Sequence, residues 1–555
     1  MKKILSVILT VAMLATMLTA FSVFVSADVA EGLSLEAQYA ANDMADSYAI
    51  YTAADWAYFF NNRGDFSATT ITVENDIDLN PGWEAKRVVT TETNTTPAGP
   101  GADGVAGTDD DTPEVTTSVT KYSVDKTGLT TELKIPAKVE LKNATVDGKG
   151  HTVKGVYVEG VGGNEGAGLI GRMVSTTLKN IRFENCATIN PKEDGTIANR
   201  TGGIATIASG TTAFENVYAD ILVTGTAMTG GFTALNLNAD TVSVSYTNCV
   251  SVCDVLGDGL GVGGFVGSSW DRSASTFTNC GFFGKVTAVE STGGSDPRAA
   301  GMFVGYTSAG TSSAAAKAML NSRVTLSNCI GAGEVVSNRE WNGALIGYTY
   351  FHSTADTTDP VTGEVLTWKS NINATNSNGK TQYINLALTN CIYAGDFTKA
   401  VGDNKDNANI LGTAATFGCD AKYTKNETAV VKVEANTLTG ANAVLAVAGS
   451  FDLTTDWVAV ADSFPMPKTL AAPVVDGGAG DAGDAGDAGN TGNAGNNDTT
   501  NSGNTNTNDT TTTAAPETEA PAAEKKGCGS SIGLAGIALV AAVATVGVVS
   551  KKRED

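Results

Sequence analysis

Catalysis needs proton carriers, nucleophiles or metal ligands in one place, and this chain is short of the most versatile of them. Its 555 residues include two histidines, His151 and His352, which leaves almost no material for imidazole acid/base work or a His-rich metal site. No Gly-x-Ser-x-Gly elbow, His-Glu-x-x-His pair or phosphate loop is present. Serine and cysteine without a partner histidine make no activated nucleophile. Carboxylates are plentiful, at 59 Asp and Glu, and a glycosidase needs two of them at a set separation across one bond. Here they fall mainly in one insertion, a late linker and isolated turns. Asp103 with Asp109, Asp110 and Asp111 supplies the oxygen donors that Ca²⁺ takes, but the spacing fits no EF-hand. A solvated acidic loop is the better reading, so no metal ligands are assigned and no cofactor is called for. Binding has more material. Trp341, Tyr348, Tyr350, Phe351 and Trp368 fall in apparent insertions, and aromatics on loops beside a rigid scaffold stack on sugars or pack on a partner. The competing reading is that they pad the outside of that scaffold.

The elements that would position these residues come from a repeat between residues 166 and 391. A glycine-flanked apolar pair recurs at 168–171, 264–267, 302–305 and 344–347, with looser copies at Gly203-Ile204 and Gly231-Phe232. After each copy come an apolar residue, a spacer, Asn, and usually Cys: Asn185-Cys186, Asn216-Val217, Asn248-Cys249, Asn279-Cys280, Asn328-Cys329 and Asn390-Cys391. The asparagines step by 31, 32, 31, 49 and 62 residues. Such a period marks a solenoid, in which each repeat is one coil stacked on its neighbours. Abundant Gly with Val, Thr and Ile makes the coils β rather than helical. Glycines beside the apolar pair suit tight corners and positive φ, and Asn before Cys suits a left-handed corner with a ladder of side-chain amides. Interchange of Cys with Val217 marks a small buried residue. Stacked parallel strands hold equivalent positions about 4.8 Å apart, too far and too parallel for a disulfide. Five repeat cysteines, Cys186, Cys249, Cys280, Cys329 and Cys391, therefore read as a thiol ladder.

In chain order, residues 1–27 read as a signal peptide with cleavage after Ala27. Residues 28–83 hold an N-terminal cap, with a capping box at Thr52 and Asp55 opening a helix over 53–61, followed by first strands. Residues 84–131 form an acidic, Thr- and Gly-rich insertion, and 132–470 the coil stack, closed by a segment around Trp457. Residues 471–531 are a low-complexity linker expected to be disordered. The apolar run in 532–550 is long enough to span a bilayer, with a basic tail at 551–555 left cytoplasmic. A Leu-Pro-x-Thr-Gly sorting pentapeptide is missing, and Cys528 in Gly-Cys-Gly-Ser-Ser is a possible processing or lipidation site. A net charge of −23 speaks against nucleic acid as a partner.

Asp76-Ile-Asp-Leu79, then Asp147-Gly-Lys-Gly-His151-Thr-Val153, then the Gly-Leu/Phe-Ile/Val-Gly repeats resemble bacterial surface proteins with GLUG-type repeats. The resemblance spans roughly residues 51–467 and implies a right-handed parallel β-helix of pectate-lyase-like architecture. The expected fold is thus all-β, with a short N-terminal capping helix, the linker and a C-terminal transmembrane helix. The expected function is adhesion or binding of a glycan or protein outside the cell, with the cell's own membrane as the anchor. A polysaccharide lyase or glycoside hydrolase on the same scaffold is the alternative, and a passive spacer the third reading.

Overall fold

The computed structural model describes residues 33–471, apart from 97–98, 100–112, 136–138, 162–165, 192–198, 239–242, 272, 290–298, 310–322, 338–340, 352–356, 359–364, 369–372, 377–380, 384, 396, 398–399, 401–429 and 449. The readings at Ala27, at the acidic cluster 103–111, at His352, at Cys528, and across the linker and the run 532–550 lie outside the described residues. Among those described, no helix is long and apolar enough to cross a membrane.

Two helices open the described part of the chain, α1 (Leu35–Ala41) and α2 (Ala53–Asn62). At α2 the capping box is complete: the Thr52 hydroxyl accepts from the Asp55 N–H at 3.2 Å, and the Asp55 carboxylate accepts from the Thr52 N–H at 3.0 Å. That carboxylate also accepts from the Leu35 N–H at 2.7 Å and so ties the two helices together. Trp56, Phe59 and Phe60 share the buried face of α2, and the Trp56 indole meets the Phe183 ring edge-on at 5.9 Å. Aromatic surface thus covers the first coils.

Beyond the helices the fold is mostly β. Parallel strands build a 24-stranded and a 7-stranded sheet, the pairing pattern of a β-helix. One full coil shows how. The strand Ala213–Gly230 bends through successive faces, pairing with the neighbouring coils at 213–215, 217–219, 221–226 and 228–230, before Thr233–Asn238 joins the 7-stranded sheet. Equivalent side chains therefore stack coil on coil. Phe214, Tyr246 and Phe277 form one column with ring centroids 4.9 and 4.6 Å apart, and Phe232, Phe265 and Phe303 a second with spacings of 4.7 and 5.1 Å. These spacings match the roughly 4.8 Å between paired strands. Burying each ring contributes about 1.5–3 kcal/mol, and the two columns meet edge to face, as aromatic quadrupoles favour.

The asparagine corner is a polarised ladder. Each side-chain amide donates to the carbonyl oxygen of the preceding coil: Asn390 to Asn328 at 2.8 Å, Asn328 to Asn279 at 3.2 Å, Asn279 to Asn248 at 3.1 Å, Asn248 to Asn216 at 3.0 Å, Asn216 to Asn180 at 2.9 Å. It ends on the Asp147 carboxylate, which accepts from Asn180 at 3.0 Å. All six of these asparagines are left-handed, with φ between 51 and 55°. Asn185 is not in this ladder, and here the sequence reading needs correction. The register sets Ile181 opposite Val217, so Asn180 takes the rung and Asn185 serves the next corner. There Asn185 donates to the Trp83 carbonyl at 2.6 Å and accepts from the Ala85 N–H at 2.8 Å. Cys186 accordingly lies opposite Ile221 and outside the column of Cys249, Cys280, Cys329 and Cys391.

The motif glycines also have a different cause from the one expected. Of those in the apolar-pair motif, Gly171 has a positive φ but Gly264 does not. A Cβ on Gly264 would be driven into the Met302 carbonyl and the Phe282 ring, so close approach of neighbouring coils excludes any side chain there.

Segments also leave the coils, two of which pack back on them. Residues 84–131 contain a β-hairpin, Arg87–Thr96 paired antiparallel with Val115–Val124. Its base packs on the coils through Trp83, Val124, Tyr157, Ile189, Leu222 and Leu256. Arg87 fastens it, donating to Asp254 Oδ2 at 3.0 Å, the Thr224 hydroxyl at 2.9 Å and the carbonyls of Val223 and Asp254. The C-terminal segment around Trp457 does not close the last coil, as expected from its prolines. It lies along the coil flank, where Trp457 packs with Phe283, Ile330 and Ile392.

Candidate functional site

The five aromatic candidates do not gather on loops. Trp341 begins a strand paired with Ala299–Gly301, and Tyr348, Tyr350 and Phe351 belong to the strand Ile346–Phe351, paired in register with Tyr306, Ser308 and Ala309. Trp368 ends a strand of a separate four-stranded antiparallel sheet. The insertions begin later than the sequence indicated, after residues 309 and 351, because the strands of that face continue past the glycine motif.

The repeat cysteines offer no nucleophile. All six described cysteines are free and buried. Burial pushes Cys253 up to about 12 and Cys280, Cys329 and Cys391 well above the ordinary thiol range, whereas reactive cysteines need the opposite shift. His151 is held against Asp76, Nδ1 to Oδ1 at 3.3 Å, and the same carboxylate oxygen accepts from the Thr152 N–H at 2.8 Å. Lys149 pairs with Glu74 at 2.7 Å, Lys154 with Asp78 at 3.2 Å and Lys179 with Asp147 at 3.3 Å. These are ties between the first coils. Among the described residues no group of three His, Cys, Asp or Glu could hold a metal ion.

Two arrangements remain. The first is a carboxylate pair that no sequence motif announced. Phe183 lies opposite Ala219 and Cys186 opposite Ile221, so the register slips between them and Glu184 and Asp220 fall on adjacent coils at an irregular corner. Asp220 faces solvent, but desolvation at its corner raises its carboxyl, the Asn185 N–H opposes this, and Glu184 raises it further. Glu184 accepts from Arg182 at 3.2 Å, and that guanidinium sits 4.2 Å over the Tyr218 ring. Two carboxylates on adjacent coils, whose backbones lie about 4.8 Å apart, are the kind of pair a glycosidase needs across one bond. The signal lay in the coil length alone, since the two residues are one coil apart in sequence.

The second is a shallow polar hollow of about 490 Å³ between the end of α2 and the coil strand Glu140–Lys142, lined by Asn61, Asn62, Asp65, Ser67, Glu140 and Lys142. Behind it Arg63 is buried over the Phe60 ring at 5.0 Å, donating to the Phe60 carbonyl at 2.6 Å. Desolvation lowers this guanidinium to about 10, and among the described residues no carboxylate pairs with it. Lys142 and Arg172 both bind Glu140, at 2.8 and 3.0 Å, so the hollow is close to neutral and rich in amide and hydroxyl groups.

No family model matches the chain, and no curated protein matches it. Among solved structures it is similar to a Bacteroides ovatus protein whose crystal structure is described as that of a "putative immunoglobulin A1 protease". The two are 15% identical with a TM-score of 0.35, over 61% of this chain and 84% of that one. The likeness is too slight to bear on activity.

Proposed function

We propose that this protein is displayed outside the cell on a right-handed β-helix of the GLUG-repeat kind, anchored by the apolar run in 532–550, and that it binds a glycan or a protein there. The supporting observation is how the repeat spends its polar residues. Asn216, Asn248, Asn279, Asn328 and Asn390 use their amides on one another, and the thiols are buried among apolar neighbours. What is left to meet a ligand is surface: the hollow beside α2, and the strands carrying Trp341, Tyr348, Tyr350 and Phe351. A rigid stack displaying neutral polar groups suits a binder better than a catalyst. The charge of −23 keeps nucleic acid off the list of partners.

The test is a glycan array with the exported protein, run beside incubation with uronic-acid and neutral polysaccharides. Retention without product is the expected result, and release of oligosaccharide would overturn it. Fractionation of the producing cells checks the anchor, with the protein expected in the membrane fraction. The Glu184–Asp220 pair supports the second reading, a polysaccharide-acting enzyme. If turnover is found, Glu184→Gln and Asp220→Asn should each abolish it under that reading.

A further inference from the structure

The C-terminal segment meets the coils in reverse order. At the last asparagine rung, Asn390 donates to the Asp452 carbonyl at 2.6 Å, and the Asp452 N–H donates back to the Asn390 side chain at 3.1 Å. One coil earlier, Asn328 donates to the Asp456 carboxylate at 3.2 Å while the Trp457 indole N–H donates to the Asn328 carbonyl at 2.9 Å. One coil earlier again, Phe464 stacks on Phe283 at 4.6 Å. The Trp457 ring lies over Gly281, where a Cβ would stand 2.8 Å from it. Finally the short helix Lys468–Ala471 reaches the strand Ala213–Gly230, with Leu470 in the same apolar cluster as Tyr218 and Val252. The chain therefore leaves beside an early coil, although it departed from the stack at a late one.

We infer that this segment is a strap that peels from the flank under tension, from Leu470 back to Glu434, before any coil opens. The inference rests on the reading that the run in 532–550 anchors the chain, since an anchor supplies the pull. Its contacts lie in series along that pull, so each bears the force alone. Coil strands share the force among rows of backbone hydrogen bonds, as in the pairing of Ala274–Thr278 with Arg323–Ser327. Within the strap, among the described residues, strand pairing is limited to two-residue strands, Ala446–Val447 with Phe451–Asp452 and Trp457–Val458 with Met466–Pro467, beside single backbone bonds such as that from the Gly440 N–H to the Ser463 carbonyl. Release of the chain between Glu434 and Ala471 would give on the order of 100 Å of extension at about 3.3–3.6 Å per residue. It would also bare the outer apolar column Val250, Ile330 and Ile392.

Single-molecule force spectroscopy on the full purified chain, held by peptide handles fused at its two ends, tests this. The expected trace has a first, reversible step of roughly 100 Å at lower force than every later event. Trp457→Ala and Phe464→Ala should each lower the force of that step and leave the later events unchanged. A trace whose first event is coil rupture, or a first step insensitive to both substitutions, would overturn the inference. The trace is read on purified protein. Absence of the chain from the membrane fraction would therefore remove the anchor reading without touching the step, and the two failures stay distinct.

Discussion

Asn279 offers the sharpest test of the coil corner, because two separable effects meet on one residue. Its amide donates to Asn248 at 3.1 Å, its side-chain oxygen accepts from Asn328 at 3.2 Å, and its backbone sits at φ +54°. Replacement by Ala deletes both hydrogen bonds, at about 1 kcal/mol each, and keeps a Cβ in the left-handed region without the short polar side chain that lets Asn sit there, so a penalty of 1–2 kcal/mol or so is no longer offset. Asn279→Ala should therefore cost about 3 kcal/mol. Asn279→Gly loses the same two bonds without the Cβ penalty, and should cost about 2 kcal/mol. Native-state hydrogen exchange suits the measurement, because a coil stack opens in pieces rather than all at once. The amides to follow are Asn248, which donates to the Thr278 carbonyl, and Asn279, which donates to the Ser327 carbonyl. If the Ala and Gly variants open equally easily, the left-handed corner is not what constrains this position. If neither costs more than about 0.5 kcal/mol, within the range of an ordinary surface change, the ladder contributes nothing and the reasoning fails.

Gly264→Ala should destabilise more than the Asn279 variants, because its Cβ meets backbone on the next coil, which cannot move aside; thermal unfolding against a Gly128→Ala control, a site open to solvent but with its own positive φ, checks it. The six buried cysteines should resist a water-soluble thiol reagent in the native protein at pH 8 and all react after denaturation; rapid native labelling of Cys249 or Cys280 would contradict the buried column. Arg87→Ala should loosen the hairpin base by about 2 kcal/mol, through loss of a partly buried charged contact to Asp254, seen as faster exchange in 115–124 with the coils unaffected. Desolvation pushes the Asp147 carboxyl up, but the Lys149 N–H, the Asn180 amide and Lys179 outweigh it and hold the group below the usual carboxylate range. A depressed folded-state value contributes stability that is present above the unfolded pKa of about 3.9 and lost as pH falls through the folded one. Asp147→Asn should accordingly lower the neutral part of a stability–pH curve, leave its acid end little changed, and so flatten the acid limb.

The stack was legible in the sequence because a β coil repeats its interior, and repetition survives as period. The register of the first copy was not. Phe183-Glu184-Asn185-Cys186 matches the later strings better than Leu178-Lys179-Asn180-Ile181 does, yet the pairing selects the second. Both corners of that coil demand a left-handed residue and both use Asn, so composition cannot separate them. The hairpin in 84–131 left a signal in its β-branched runs, Val88-Val89-Thr90-Thr91 and Val115-Thr116-Thr117, which Gly, Pro and acid between them obscured. Prolines after Trp457 say that pairing ends, but not where the chain goes next. The site was least visible. Glu184 with Asp220, and Arg87 with Asp254, are joined only through coil length and an excursion, neither of which leaves a local motif.

The fit of Trp457 over Gly281 has a consequence for how such a protein can change size. Solenoids lengthen by duplicating a coil, and most positions in a coil tolerate this because the inserted copy reproduces its neighbours. Between Gly281 and Asn390 that freedom is curtailed. An extra coil there would move the Asn390 rung away from Gly281 by about 4.8 Å, while Asp452 and Trp457 stay five residues apart in the chain. The indole slot and the Asn390 rung could then both be filled only by unwinding the turn that now joins them, in which the Trp457 backbone N–H donates to the Leu453 carbonyl at 2.9 Å. The segment works as a gauge that counts the coils beneath it, and growth of the stack is directed to the part it does not measure.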